Sequence, residues 1–108
     1  PDRGAYTPAK AGLIGLAKLL SIEWARYNIR VNAVCPGVAI TPMTEMVYRR
    51  DPELRKQRLK RMPMGREITP EEIANLVVFL CNEVSASING AAMIIDGGFL
   101  NSGFMPEP

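Results

Sequence analysis

The sequence predicts an α/β fold with a parallel sheet, because two helical patterns alternate with two short apolar segments. The order is helix, strand, helix, strand, and parallel strands are joined by crossovers that contain a helix. The last apolar segment, AAMIID at residues 91–96, is unbroken, as in strands that are covered on both faces. Only two strands are evident, whereas parallel sheets are usually larger. We therefore expect the chain to be part of a larger sheet.

The first helix is predicted from Pro8 to about Tyr27. Its main apolar stripe has spacings of three and four residues and consists of Leu13, Ala17, Leu20, Trp24 and Tyr27. Further apolar residues, Leu16, Leu19 and Ile22, extend the surface beyond that stripe. A helix that is apolar on more than one side must be covered on more than one side. We therefore expect it to be sandwiched.

The first strand is predicted from Ile29 to Val34. Asn28 precedes it as a left-handed cap of the helix, and Pro36-Gly37 ends it. Two cysteines, Cys35 and Cys81, lack C-x-x-C spacing. We expect them to be buried free thiols, which fits the reducing cytosol.

The second helix is predicted to begin after Thr69. Pro70 suits a first helical position, and Thr69 with Glu72 has the spacing of a capping box. The apolar stripe of this helix consists of Ile73, Leu76, Val77 and Leu80. A turn at Asn89-Gly90 then leads into the last strand, which Gly97-Gly98 closes.

The segment between Thr41 and Thr69 is rich in methionine and in cations. Residues 42–66 contain eight lysines and arginines but three carboxylates. We interpret the segment as an amphipathic surface helix with Leu54 and Leu59 pointing inward. Only Tyr48 is interleaved with the cations for base stacking, so nucleic-acid binding has poor support.

The composition excludes several classes of chemistry. The chain has no histidine, which removes serine–histidine and cysteine–histidine mechanisms and histidine-ligated metal sites. We expect no metal. The net charge of +2 does not argue for nucleic acid, and no apolar run is long enough to span a bilayer.

Tyr6 and Lys10 are the first candidates for proton chemistry. At a spacing of four they share one face of a helix. An ammonium about 4 Å from a phenolate, at an effective dielectric near ~20, stabilises it by about 4 kcal/mol. Such a pair is common by chance, and a solvated helix pair is the alternative. Pro8 disfavours helical angles at Thr7, which weakens the shared-face argument if Thr7 is extended.

Three segments together are far more specific than this pair. They are YTPAKAGLIGLAKLLSIEWARYNIRVNAVCPG (residues 6–37), Thr41, and TPEEIANLVVFLCNEVSASINGAAMIIDGG (residues 69–98). In order and spacing they resemble the C-terminal half of the short-chain dehydrogenase/reductase family. The resemblance implies the C-terminal half of a Rossmann-like, doubly wound parallel sheet. Residues 1–108 would then be part of one domain, with a substrate lid at 42–68 and Met43 and Met46 facing the substrate.

The resemblance also implies roles for particular residues. Tyr6 is similar to the catalytic acid–base, and Lys10 to the residue that favours the phenolate and holds the nicotinamide ribose. Pro36-Gly37 is similar to the loop that passes beside the nicotinamide ring. Ala39 matches a position whose backbone contacts the carboxamide, and Thr41 matches a residue whose hydroxyl binds near the carboxamide and pyrophosphate. As alternatives, Pro36-Gly37 is a strand terminator and Thr41 begins a turn. For Asn32 and Asp96-Gly97-Gly98 we favour structural roles, a side chain that ties loops and a tight chain reversal.

The implied enzyme is a cytoplasmic NAD- or NADP-dependent oxidoreductase that interconverts an alcohol and a ketone or aldehyde. We expect a homodimer or homotetramer, with no nucleic-acid or membrane partner. The glycine-rich phosphate loop of the family does not occur in the chain, so the N-terminal cofactor-binding half is expected to be absent and the chain alone inactive. The alternative is a non-catalytic truncated or proteolytic fragment that acts only through association.

Overall fold

The computed structural model describes residues 4–104 and contains the predicted helix–strand–helix–strand order. The chain forms two compact units. The first comprises the residues up to Val34 together with Val77–Met93, and the second comprises Cys35–Leu76 together with the residues from Ile94 onward. Within the described residues the sheet has two strands.

The first helix, α1, extends over Tyr6–Glu23, and a 3₁₀ turn follows at Ala25–Tyr27. It begins two residues earlier than predicted, so Thr7 is helical. Pro8 is tolerated because it lies in the first turn, where amide donors have no helical partner. Asn28 ends the segment with a φ of 58°, which confirms the predicted left-handed cap.

Little of the predicted stripe of α1 is buried. Ala17 is buried, whereas Leu13 is 53% exposed, and the polar Ser21, outside the predicted stripe, is buried as well. The side-chain amide of Asn89 donates to the Ser21 carbonyl at 2.9 Å. A Cβ on Gly90 would lie 2.6 Å from the Ser21 hydroxyl, and Gly90 has a φ of +73°. Glycine is therefore required at this turn both by its backbone angle and by the approach of α1.

The strands are β1, Ala33–Pro36, and β2, Ala92–Ile95. The Ala33 amide donates to the Ala91 carbonyl and the Gly37 amide to the Ile95 carbonyl, both at 2.8 Å. Because the sequence offset is the same in both pairs, the strands are parallel. The α/β class with a parallel sheet is confirmed.

The predicted start of the first strand, Ile29, was wrong. Side chains interrupt the backbone ladder around residues 30–32, where the Gly90 amide donates to the Val31 carbonyl at 2.8 Å. The Val31 amide donates to the Asn89 side chain at 2.9 Å. The Arg30 guanidinium donates to the carbonyls of Leu80 and Ile88 at 2.6 and 3.0 Å. The strand therefore begins only at Ala33.

The segment after Thr41 forms two helices, where the sequence predicted one. These are α2, Pro42–Arg50, and α3, Pro52–Lys60. The break has a local cause, since Pro52 lacks the amide donor that a continuous helix needs. The Asp51 carboxylate accepts from the Leu54 amide at 3.0 Å and caps α3. Leu54 and Leu59 are half-buried.

The last α-helix, α4, extends over Pro70–Leu80. The predicted capping box is present, since Thr69 Oγ1 accepts from the Glu72 amide at 3.2 Å and Glu72 Oε2 from the Thr69 amide at 2.8 Å. Arg66 binds the same carboxylate through two hydrogen bonds of 2.9 and 2.7 Å. The Arg66 hydrogen bonds, and then that from the Thr69 backbone, lower the pKa of Glu72 to about 2.

Both cysteines are free thiols. Cys35 is half-buried, but Cys81 is exposed, so the expectation that both are buried was wrong. Cys81 directly follows Leu80, the last residue of α4. Among the described residues, no helix combines the length and apolarity needed to cross a bilayer.

Candidate functional site

Tyr6 and Lys10 lie together in the first two turns of α1. The Lys10 Nζ is 5.6 Å from the centroid of the Tyr6 ring. Since the helix starts at Tyr6, the two residues share a face as the spacing predicts. The Tyr6 side chain is 57% exposed. A phenol with an adjacent ammonium is thus accessible to a ligand.

Pro36 and Gly37 lie where β1 ends, in the second unit. A Cβ on Gly37 would lie 2.7 Å from Cβ and 2.8 Å from Cα of Asp96. No ordinary side chain fits there without movement of the backbone. The Asp96 carboxylate is itself fixed, since it accepts from the amides of Gly98 at 2.8 Å and Leu100 at 2.9 Å. These bonds fit the chain reversal predicted at Asp96-Gly97-Gly98.

Ala39 pairs with Ile68 as an isolated parallel bridge. The bridge uses the neighbours of Ala39, because the Ile40 amide donates to the Ile68 carbonyl at 2.9 Å and the Ile68 amide to the Val38 carbonyl at 3.2 Å. In a parallel bridge of this kind, the amide and carbonyl of the central residue, here Ala39, point away from the bridge partner, Ile68. The Ala39 carbonyl accepts there from Thr44 Oγ1 at 2.9 Å.

Thr41 caps α2. Its backbone is extended, its hydroxyl accepts from the Thr44 amide at 3.2 Å, and its own amide donates to Thr44 Oγ1 at 2.8 Å. The Thr41 hydroxyl also lies 3.2 Å from Thr44 Oγ1, in a contact in which either hydroxyl can donate. Thr41 therefore has a structural role as the cap of α2, where the alternative interpretation of the sequence was the start of a turn.

The two methionines predicted to face a substrate lie on an exposed side of α2. Met43 is 76% exposed and Met46 55% exposed. A cavity of about 430 Å³ lies along a different side of the same helix, where Thr44 and Tyr48 line it. The methionines are not among the residues that line this cavity.

The predicted site residues fall in both units, with Tyr6 and Lys10 in the first and residues 36–46 in the second. Sequence reasoning missed Thr44, although T-x-x-T at a helix start has capping-box spacing. It also missed the pairing of Arg55 with Glu67, which no local spacing indicates. Asn32 has the predicted tying role, since its side chain donates to the Ile88 carbonyl and accepts from the Ala91 amide at 2.9 and 3.0 Å.

Residues 1–100 match the protein family described as Enoyl-(Acyl carrier protein) reductase. A tropinone reductase homolog of Arabidopsis thaliana is 43% identical over 95% of the chain and 38% of its own length. The 2-(R)-hydroxypropyl-CoM dehydrogenase of Xanthobacter autotrophicus is 43% identical over 92% of the chain and 39% of its own length. The chain thus spans about two fifths of the length of the curated relatives it matches.

Solved structures agree with these relatives. An oxidoreductase of the short-chain dehydrogenase/reductase family from Burkholderia thailandensis has a TM-score of 0.85 and 42% identity, and covers 91% of this chain and 39% of its own. A protein from Agrobacterium tumefaciens, solved with bound NADP, has a TM-score of 0.85 and 43% identity, with coverages of 90% and 39%.

Proposed function

Because the chain belongs to the short-chain dehydrogenase/reductase family, we propose that it is the C-terminal half of an NAD- or NADP-dependent oxidoreductase. The reaction interconverts an alcohol and a ketone or aldehyde. The observation that carries the proposal is the accessible Tyr6 phenol with the Lys10 ammonium 5.6 Å from its ring. Such a pair is the proton-transfer machinery that this chemistry needs in a chain without histidine.

Tyr6 is the acid–base in this proposal. Its hydroxyl gives a proton to the carbonyl oxygen of the substrate in reduction and takes one from the alcohol in oxidation. The Lys10 ammonium stabilises the phenolate between these steps. The bound nicotinamide cofactor supplies or accepts the hydride.

The residues present fit the nicotinamide end of NAD or NADP. The Ala39 amide faces away from Ile68 and suits an amide carbonyl acceptor such as the carboxamide. The Thr41 hydroxyl would exchange its 3.2 Å contact with Thr44 Oγ1 for one with the cofactor. Pro36 and Gly37, at the end of β1, would lie beside the nicotinamide ring. Lys10 supplies donors for ribose hydroxyls. Met43 and Met46 form an adaptable apolar wall for the substrate within the 42–68 lid.

Thr41→Ala is expected to weaken both cofactor binding and folding. Loss of an ordinary hydrogen bond to the cofactor costs about 0.5–1.5 kcal/mol of binding, and loss of the α2 cap costs about 0.5–2 kcal/mol of stability. Thr41→Ser retains the hydroxyl and serves as the matched control. Titration with NADH and NADPH, together with chemical denaturation, separates the two effects. If Thr41→Ala loses stability while the cofactor Kd stays unchanged, Thr41 is only a helix cap.

We also propose that the protein is a homodimer or homotetramer. The large apolar residues Leu16 and Leu19 of α1, Trp24 directly after it, and Val78 and Phe79 of α4 are all exposed within this chain. Isologous packing between copies would bury such surfaces. In the isolated 108-residue chain, the strands also have free edges among the described residues, and free edges favour association.

Light scattering at micromolar concentration is expected to show a dimer or tetramer of the full-length protein, and association or poor solubility of the 108-residue chain. Leu19→Glu should shift the full-length protein toward the monomer, because it places a charge at an apolar contact. Lys18→Glu, at the adjacent exposed position of α1, is the control and should leave the mass unchanged. If the 108-residue chain without substitutions is a cooperatively folding monomer, the proposal is wrong.

The rival function is that of a non-catalytic fragment that acts only through association. The Tyr6–Lys10 pair and the matching segment from Pro36 to Thr41 favour the enzyme. The coding sequence upstream of Pro1 distinguishes them. A glycine-rich strand–turn–helix encoded there supports the enzyme, and a stop codon in frame supports the fragment.

A further inference from the structure

Glu67 is the one charged residue that is buried in the part of the chain that the structure describes, with its side chain 3% exposed. A buried carboxylate is costly unless it is paired. Glu67 is paired with Arg55, whose side chain is half-exposed, so the pair ties the buried carboxylate to α3. Resting on the function proposed above, we propose that Glu67 is a positioning residue for the cofactor-facing segment from Gly37 to Thr41.

The Glu67 carboxylate is held by a two-pronged contact from α3. Arg55 Nε and its terminal guanidinium nitrogen donate to the two carboxylate oxygens, each at 3.2 Å. The same guanidinium lies 5.5 Å from the centroid of the Tyr48 ring, and Tyr48 is a buried residue of α2. Arg58 also donates to the Tyr48 hydroxyl at 3.3 Å. Glu67 is thus connected to both helices of the 42–68 segment.

Ile68, the residue after Glu67, makes direct backbone hydrogen bonds to the candidate site. Ile68 makes the two backbone hydrogen bonds that fix Val38 and Ile40 on either side of Ala39. This bridge stands outside both strands, so two hydrogen bonds rather than a sheet maintain it. Thr44 fixes the Ala39 carbonyl from the α2 side at 2.9 Å. The Glu67–Arg55 pair therefore determines where Ile68, and with it the Ala39 amide, can lie.

Glu67→Gln in the full-length protein tests this role. The glutamine amide replaces one of the two acceptor oxygens with a donor that faces the Arg55 donors. The two-pronged contact with Arg55 is therefore lost. Two readouts are expected to change. Hydrogen exchange of the Ile40 and Ile68 amides should accelerate on the order of tenfold as the bridge opens locally. The Kd of NADH or NADPH should rise on the order of tenfold, since small displacements of a binding group are costly.

The matched control is Glu53→Gln, which breaks the exposed Glu53–Lys56 pair of α3. In the part of the chain that the structure describes, the Glu53 carboxylate hydrogen-bonds to Lys56 and not to Glu67, Ile68 or Ala39. Because an exposed pair contributes little to stability, this variant should change neither the cofactor Kd nor the exchange of Ile40. If Glu67→Gln fails to fold, Arg55→Gln is the second variant, since Arg55 is half-exposed. It breaks the same two-pronged contact and should reproduce both effects.

The proposal is overturned if Glu67→Gln and Arg55→Gln change only the melting temperature, or change the cofactor Kd no more than Glu53→Gln does. A failure of the proposed function is distinguishable from this outcome. If the enzyme depends on Tyr6 but Glu67→Gln binds cofactor normally, only the positioning role is wrong. If the unmodified protein binds neither NADH nor NADPH, the proposed function itself is wrong, while the exchange of Ile40 still reports whether Glu67 holds the bridge.

Discussion

Tyr6→Phe in the full-length protein is expected to lower kcat by about 10²–10⁴-fold, which is the usual contribution of a general acid–base. The substitution removes one oxygen and with it the proposed proton route between enzyme and substrate. The aromatic ring and the helical position remain. Because Lys10 and the segment from Gly37 to Thr41 are unchanged, the cofactor Kd should stay close to that of the unmodified protein.

Tyr27→Phe is the matched control for this substitution. Tyr27 is also an exposed tyrosine, and the Arg26 guanidinium lies 4.7 Å from its ring centroid, much as Lys10 lies beside Tyr6. Its loss of a hydroxyl should leave kcat unchanged. Steady-state kinetics and fluorescence titration with the reduced cofactor measure both quantities. Retention of more than about a tenth of kcat by Tyr6→Phe would rule out Tyr6 as the acid–base, given the size of that contribution.

Gly37→Ala is expected to destabilise the protein by about 1–3 kcal/mol or more, the cost of overpacking a filled site. The new Cβ would lie 2.7 Å from Cβ and 2.8 Å from Cα of Asp96. A backbone atom cannot rotate away as the end of a side chain can. Asp96 is held further by the amides of Gly98 and Leu100, so the clash should displace the end of β1 and weaken cofactor binding as well.

Gly103→Ala is the control, because its added Cβ would meet no atom of the described residues within 4 Å. The free energy of unfolding of this variant should lie within about 0.5 kcal/mol of that of the unmodified protein. Chemical denaturation at one temperature compares the three proteins. An unchanged free energy of unfolding for Gly37→Ala would show that β1 and Asp96 separate easily, and that the close approach does not constrain this loop.

Features that depend on neighbours within about four residues were predictable from the sequence. The capping box of Thr69 and Glu72, the left-handed cap at Asn28 and the Tyr6–Lys10 pair on one face all appear in the structure. Each is a contact between residues close along the chain, so the spacing itself encodes the geometry. The parallel sheet was predictable for a related reason, since a helix between two strands leaves few other connections.

Features that depend on distant residues were not predictable in this way. The first strand begins at Ala33 rather than Ile29 because side chains take two of the backbone amides before it. The Val31 amide donates to the Asn89 side chain and the Ala91 amide to the Asn32 side chain. The break at Pro52 between α2 and α3, in contrast, was a local signal that the helical interpretation overlooked.

The sequence by itself determined the fold class, because periodicity and caps depend on short spacings, and its resemblance to the short-chain dehydrogenase/reductase family supplied the candidate residues beyond Tyr6 and Lys10. Only the tertiary structure showed that Thr41 is a helix cap, and that Asp96 excludes a side chain at Gly37. Only the tertiary structure paired Arg55 with a buried Glu67. The physical reason is that burial and long-range pairing depend on which surfaces meet after folding, and residues twelve positions apart carry no local signal of that meeting.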